Sequence, residues 1–265
     1  MLNILFIGEI SGKIGRRAVE QFLPELKNEF KPDFIISSAD NLAHGKGVSE
    51  TTLKEMLATG VDAFTGGDHC FSNLGSLNIY DSDLPLLRPA NFSKQAPGRG
   101  QMILEKGGHK ILLINLIGQV FMSMNYENPF SAVDEILSNL AKNNLSAIII
   151  DIHAEATSEK IALGHYLNGR VSAILGTHTH VMTADARITP DGTSLISDVG
   201  MTGYADGVIG VDKEGIIKTF LTQIKSTHII PESGRTIFNA ILLSIDPETK
   251  KTVSIKPITK FININ

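Results

Sequence analysis

Residues 147–180 read AIIIDIHAEATSEKIALGHYLNGRVSAILGTHTH. Two aliphatic runs, Ala147–Ile152 and Val171–Gly176, flank a segment of helical period over Ser158–Asn168, with Gly169 as its stop. Such a strand–helix–strand unit sets its two strands parallel. Each strand is followed at once by imidazoles: His153 after the first, His178-Thr-His180 after the second. In open, largely parallel sheets the carboxyl ends of the strands share one edge, and binding groups gather there.

Working outward, the same pattern recurs. Strands are expected at Asn3–Gly8, Phe34–Ser38, Ala63–Gly66, Ile111–Ile117 and Ser194–Ser197. Glu9 follows the first of these, Asp40-Asn41 the second, Asp68-His69 the third and Asp198 the last. Between them, Lys13–Phe30 places Ile14, Val19, Phe22, Leu23, Leu26 and Phe30 mostly on one helical face, with Pro24 expected to kink or split the helix. Ser49–Thr59, capped by Ser49 and ended by Gly60, and Ser131–Asn144 read as further helices. Thr236–Ile245 and Thr252–Ile258, joined by Asp246-Pro-Glu-Thr-Lys250, read as a β-hairpin that adds antiparallel strands to one edge. Residues 71–110 are rich in turn formers and weakly periodic, an excursion from the core or a small subdomain. The whole is read as one α/β domain over residues 1–265.

The chain has 265 residues, 42% hydrophobic and 20% charged, enough for a sizeable core. No apolar run approaches the roughly 18 residues of a membrane span, and Met1–Ile7 lacks a basic start, so neither membrane insertion nor a standard secretion signal is expected. The single cysteine, Cys70, excludes an intrachain disulfide and a thiolate metal cage, and points to a reducing, cytoplasmic setting. A net charge of −4 gives no electrostatic footprint for long nucleic acids. A small phosphate ester or diester stays open, because bound metal supplies local positive charge.

Three carboxylates, one Asn and several His make an oxygen-and-imidazole ligand set suited to Mn, Fe, Zn or Co. Six or seven ligands exceed what one ion needs, which argues for two. A pair about 3.5–4 Å apart can bridge a hydroxide and clamp the oxygens of an in-line phosphoryl displacement. Taken singly, acidic residues after strands are mostly turn formers or helix caps; their coincidence carries the reading. His109, His165 and His228 read as surface or structural, and Cys70 as a packed thiol. Gly8-Glu-Ile-Ser-Gly12-Lys13 mimics a phosphate-cradling loop but has three residues between its glycines rather than four, and Ile14 where Ser or Thr belongs.

With these residues in view, the chain resembles the YmdB-like family of bacterial metallophosphoesterases, a branch of the calcineurin-like phosphoesterases. The resemblance runs from the first strand to the hairpin, through Asn41-Leu-Ala-His-Gly-Lys-Gly47, Arg88-Pro-Ala-Asn-Phe92, His153-Ala-Glu-Ala-Thr-Ser-Glu-Lys160, Gly176-Thr-His-Thr-His-Val181 and Asp198-Val-Gly-Met-Thr-Gly203. It implies a layered αββα sandwich with mixed sheets, a two-metal centre, a cytoplasmic homo-oligomer, and phosphodiesterase activity on small cyclic nucleotides, 2′,3′-cyclic ones included.

Carried over by position, the resemblance makes Glu9 and His180 ligands of one metal, Asp68, His153 and His178 ligands of the other, and Asp40 the bridge. Asn41 lies beside the first metal and His69 is the catalytic histidine that assists the leaving alkoxide. His44, Lys46 and Asp198 are read as substrate-rim residues. Three positions depart from the family's usual residues: Glu9 stands where Asp is usual, Asp40 where Glu is usual and Asp68 where Asn is usual. The first two exchange a methylene between neighbours, whereas the third takes the ligand charge from −2 to −3. That charge favours a more positive metal pair or a less acidic bridging water. Alternatives at this stage are a phosphomonoesterase or nucleotidase, and a regulatory protein that binds metal or nucleotide without turnover.

Overall fold

A computed structural model describes residues 1–140 and 144–265. In chain order these form β1 (Leu2–Ile7), β2 (Glu9–Ile10), α1 (Gly12–Phe30), β3 (Phe34–Ser38), α2 (Glu50–Thr59), β4 (Ala63–Thr65), α3 (Leu77–Tyr80), β5 (Gln101–Lys106) and β6 (His109–Ile117). Then follow α4 (Pro129–Ser138), β7 (Ala147–His153), α5 (Thr157–Tyr166), β8 (Ala173–Thr177), β9 (Arg187–Ile188), β10 (Ser194–Ile196), β11 (Met201–Tyr204), α6 (Lys213–Thr222), β12 (Gly234–Ile245) and β13 (Thr252–Ile264).

Two sheets result. The first runs β2-β11-β12-β1-β3-β4, with β13 along the free side of β12; the second runs β5-β6-β7-β8-β10-β9. β1, β3 and β4 are parallel, as are β6, β7, β8 and β10, while β5, β9 and the C-terminal hairpin are antiparallel. The hairpin joins at the β1 edge through Leu2–Ile7 against Ala240–Ile245, as its pattern predicts.

Strand alternation assigns the layers. Leu5, Ile7 and Ile35 face α1 and α2 in one core, whereas Ile4, Phe6, Phe34 and Ile36 pack with Ile111, Leu113, Ile149 and Leu175 between the sheets. Leu112, Ile114, Ile148, Ile150 and Ile174 form a third core with Val133 of α4 and Leu163 of α5. The order is helix, sheet, sheet, helix. Strands buried on both faces read as unbroken aliphatic runs, which is why residues 147–153 announce themselves so clearly.

Several expectations need correction. Pro24 does not split α1, which runs unbroken from Gly12 to Phe30: it and Glu20, whose carbonyl loses its intrahelical donor, both lie on the exposed face, where that carbonyl is open to solvent. The helix expected from Ser131 starts at Pro129, because Asn128 caps it by accepting from the N–H groups of Phe130 and Ser131. It ends at Ser138, and residues 141–143 of the expected span lie outside the described residues. α6 and the short strands β2, β9 and β11 went unread; two- to four-residue strands carry too little periodicity, and α6 buries none of its side chains.

Residues 71–100 cross from the first sheet to the second. Phe71 packs edge-on against Tyr80 and Phe92, and Phe92 stacks on Tyr126. The Arg88 guanidinium donates to the carbonyls of Pro89, Ala96 and Pro97. After this crossing, β5 and β6 form a hairpin turned by Gly107 and Gly108, so His109 opens a strand.

Candidate metal centre

The parallel strands end at a common edge in both sheets. Ile117, His153 and Thr177 stand in register at the ends of β6, β7 and β8, and Ser38 pairs with Thr65 where β3 and β4 finish. Two buried polar ties join the sheets there: Thr65 Oγ1 donates to Asp151 Oδ2, and Gly66 N–H to Asn115 Oδ1 at 2.9 Å. Glu9, Asp40, Asp68, His153, His178 and His180 are brought together above this floor.

The distances define the cluster. Glu9 Oε2 lies 3.1 Å from His180 Nε2 and accepts from His178 N–H at 3.0 Å; Glu9 Oε1 lies 3.4 Å from His153 Nδ1. Asp68 Oδ1 is 3.1 Å from His153 Nε2 and 3.8 Å from His178 Nδ1. Asp40 Oδ2 is 3.6 Å from His153 Nε2, and both its oxygens accept from His69 N–H, at 3.1 and 3.2 Å. Donor atoms converge closely enough for a cation in three overlapping groups: Glu9, Asp40 and His153; Asp68, His153 and His178; Asp40, Asp68 and His69. Asp40, Asp68 and His153 are each shared by two groups. Asn41 Nδ2 lies 2.9 Å from His180 Nε2 and 3.4 Å from Glu9 Oε1.

Each imidazole is oriented through its other nitrogen. Thr177 Oγ1 donates to Asp151 Oδ1 at 2.8 Å, so it accepts from His153 Nδ1–H, at 3.2 Å, and Nε2 faces Asp68. His180 Nδ1 donates to the Ile209 carbonyl at 2.8 Å, turning its Nε2 lone pair on Glu9. His178 Nε2 is 3.1 Å from Glu155 Oε2, so Nδ1 faces the cluster. Each of the three rings thus turns one nitrogen toward carboxylate oxygens, a donor set that fits cations and for which protons compete with metal.

Electrostatics tell the same story. Burial alone would raise Glu9, but His180, His153 and His178 hold its carboxyl down at about 2. Burial, with the Asp68 and Glu9 carboxylates, pushes Asp40 up to about 8 against the pull of His153. For His153 burial works downward, yet Asp40, Asp68 and Glu9 push it up to about 10; His180 reaches about 9 through Glu9 and the Ile209 carbonyl, again against burial. Burial lowers His69.

Backbone demands concentrate here too. His178 and His180 hold φ of 102° and 64°, a left-handed conformation that costs about 1–3 kcal/mol at a non-glycine residue. At Gly67 any Cβ would stand 2.3 Å from His153 Nε2, so only glycine lets the imidazole approach.

The cluster floors a cavity of about 480 Å³, lined by Asp40, Asn41, Asp68, His69, His178 and His180 and, at its side, by Lys46. His44 lines an adjoining hollow that shares Gly45 and Lys46. Asp198 is not at the rim. It is 1% exposed, pairs with buried Lys160 at 2.9 Å and accepts from Thr179 N–H and Gly200 N–H, so it braces the His178–His180 loop. His228, read as structural from the sequence, lines the cavity, and Glu155 was missed. Glu155 stands two residues after His153, the one signal that could have found it.

Comparison with known proteins identifies the family. The profile of the YmdB-like protein family matches residues 5–258. Over 257 residues the chain is 44% identical to a 2′,3′-cyclic-nucleotide 2′-phosphodiesterase of Bacillus subtilis (strain 168), covering 97% of this chain and 96% of that one. Among solved structures, a hypothetical protein of Thermus thermophilus superposes with a TM-score of 0.91 at 36% identity, covering 98% of this chain and 99% of that one. A phosphatase of Mycoplasma pneumoniae superposes with a TM-score of 0.92 at 32% identity, covering 100% and 94%. The chain belongs to the YmdB-like family.

Proposed function

We propose that this YmdB-like chain is a metal-dependent phosphodiesterase that hydrolyses small cyclic nucleotides, 2′,3′-cyclic or 3′,5′-cyclic. The observation that carries the reading is the convergence of Glu9, Asp40, Asp68, His153, His178 and His180 in one cluster at the base of a cavity, which Asp40, Asp68, His178 and His180 line, with Asp40 shared between donor groups. In this reading Glu9 and His180, with Asn41, hold one ion; Asp68, His153 and His178 hold another; Asp40 lies between. Oxygen and imidazole donors suit iron, manganese or zinc. Bound there, the ions acidify water and offset charge on the phosphoryl oxygens.

The chain's own groups do the rest. His69 lines the cavity beside Asp68, with Nδ1 3.9 Å from Asp68 Oδ2 and its backbone N–H locked on Asp40. In this reading it gives a proton to the departing ribose oxygen. Lys46 on the cavity wall attracts the phosphodiester anion. The Bacillus subtilis relative, by its name, acts on the same bond type. The homo-oligomer reading is supported by Ile217, Leu221 and Ile224 of the α6 region, 49%, 80% and 68% exposed, and the cytoplasmic one by the free, buried Cys70. Among the described residues no helix is long and apolar enough to cross a membrane.

Metal analysis of purified protein, followed by hydrolysis of 2′,3′-cyclic AMP and 3′,5′-cyclic AMP, tests the proposal. Bound metal with turnover that chelation abolishes is expected. No metal uptake, or metal uptake without hydrolysis of either substrate, overturns it.

A further inference from the structure

The cavity above the metal donor set has two unlike walls. Besides the carboxylates and imidazoles, the cavity has an apolar lining of Ile209, Val211, Ile216, Phe220 and Ile230. The core does not require it: α6, which carries Ile216 and Phe220, buries none of its side chains, and Phe220 is 80% exposed. Ile216, Thr219 and Phe220 follow the spacing of one helix face, and all three line the cavity.

This wall is tethered to the site. The Ile209 carbonyl accepts the His180 Nδ1 proton at 2.8 Å. Ser226 bonds back to α6, donating from Oγ to the Gly215 carbonyl at 2.7 Å and from N–H to Thr219 Oγ1 at 3.1 Å, and Asp212 N–H donates to the Ile229 carbonyl at 2.8 Å. An apolar lining held in the same cavity as a phosphoester-type donor set, in a space sized for a small ligand, matches a molecule with one anionic and one flat apolar end. The geometry points to this wall as a nucleobase subsite, with Phe220 stacking on the base. The assignment rests on the phosphodiesterase reading for the other end of the ligand and names the residues by which the enzyme prefers nucleotides to simpler diesters.

The test compares kcat/KM for 2′,3′-cyclic AMP with that for glycerol-1,2-cyclic phosphate, the same five-membered ring without a base. Wild type favours the nucleotide; Phe220→Ala cuts that preference about tenfold, mainly through the KM of the nucleotide, and Phe220→Trp restores it. Leu221→Ala, on the outward face, leaves the preference in place. Independently of metal and turnover, saturation-transfer NMR shows adenosine base protons in contact with wild type and not with Phe220→Ala. An unchanged preference together with unchanged adenosine contact overturns the subsite, as does a Phe220→Ala protein altered only in native mass, which makes α6 an interface between copies. Adenosine contact that needs Phe220, in a protein that hydrolyses neither diester, sinks the phosphodiesterase reading and leaves the subsite standing.

Discussion

His153 Nε2 and His178 Nδ1 lie 3.0 Å apart, while His153 Nδ1 is engaged by Thr177 and Glu9 and His178 Nε2 by Glu155. One proton can satisfy only one of the facing lone pairs, while Asp68 Oδ1 competes for it at 3.1 Å. A cation serves all three atoms together, so the pair reads as a site completed by metal.

Glu155 is a positioning residue for that pair, since it holds His178 Nε2–H outward. Glu155→Ala is expected to weaken metal affinity about 10- to 100-fold, with Glu155→Gln intermediate because its carbonyl still accepts the proton. Competition against a fluorescent chelator measures this; equal affinity in all three proteins would refute the role.

Metal and protons compete for the same atoms. With His153 held protonated to about 10, His180 to about 9 and Asp40 to about 8, all above their ordinary values, metal uptake releases protons and its affinity climbs with pH. Metal-free protein behaves oppositely. The folded state binds more protons than the unfolded one above pH 6.5, so stability is fully present below that value for the two imidazoles and is lost as pH rises through about 9–10. Thermal midpoints of chelated protein should therefore fall across this range. A flat profile would show that these protons are not held.

Asp68 carries the extra ligand charge. Asp68→Asn takes the three-residue total from −3 to −2, and the expected outcome is a changed metal complement and a lower KM for anionic diesters. If metal content, pH profile and KM all stay as in wild type, that charge is irrelevant to the site.

His69→Ala should lower kcat about 10²- to 10⁴-fold while metal content is retained, because the imidazole moves a proton and its backbone N–H, unchanged by the substitution, still supports Asp40. Activity within about twofold of wild type would remove His69 from the mechanism.

Lys160 and Asp198 form a buried ion pair, 2% and 1% exposed, beneath the His178–His180 loop. Lys160→Met leaves the carboxylate without its cation and should destabilise by about 3–5 kcal/mol. Denaturant titration at neutral pH checks it, and an unchanged midpoint would show that Asp198 is satisfied by Thr179 and Gly200 alone.

Much of this was legible before any coordinates. Aliphatic runs buried on both faces mark β3, β6, β7 and β8 without help, and Ser49 and Gly60 bound α2 to within a residue, the former through a capping box with Thr52. Ligand types after strand ends foretold the cluster because parallel strands end on one edge. α6 stayed invisible because its apolar residues serve a cavity wall and an outer surface rather than a core, so its pattern answers to no single face. Asp198 was misplaced because a carboxylate after a strand looks the same whether it turns toward ligand or toward a buried lysine 38 residues away.

By itself, the sequence determined the α/β class and the edge at which the chemistry gathers, since both follow from local periodicity and from the parallel sense that strand–helix–strand units impose. Only the tertiary structure decided which nitrogen of each imidazole faces the cluster, that Glu155 and Thr177 set those choices, and that Phe220 overlooks the site. Those facts depend on contacts between side chains distant along the chain, whose directions are fixed when the two sheets pack and not before.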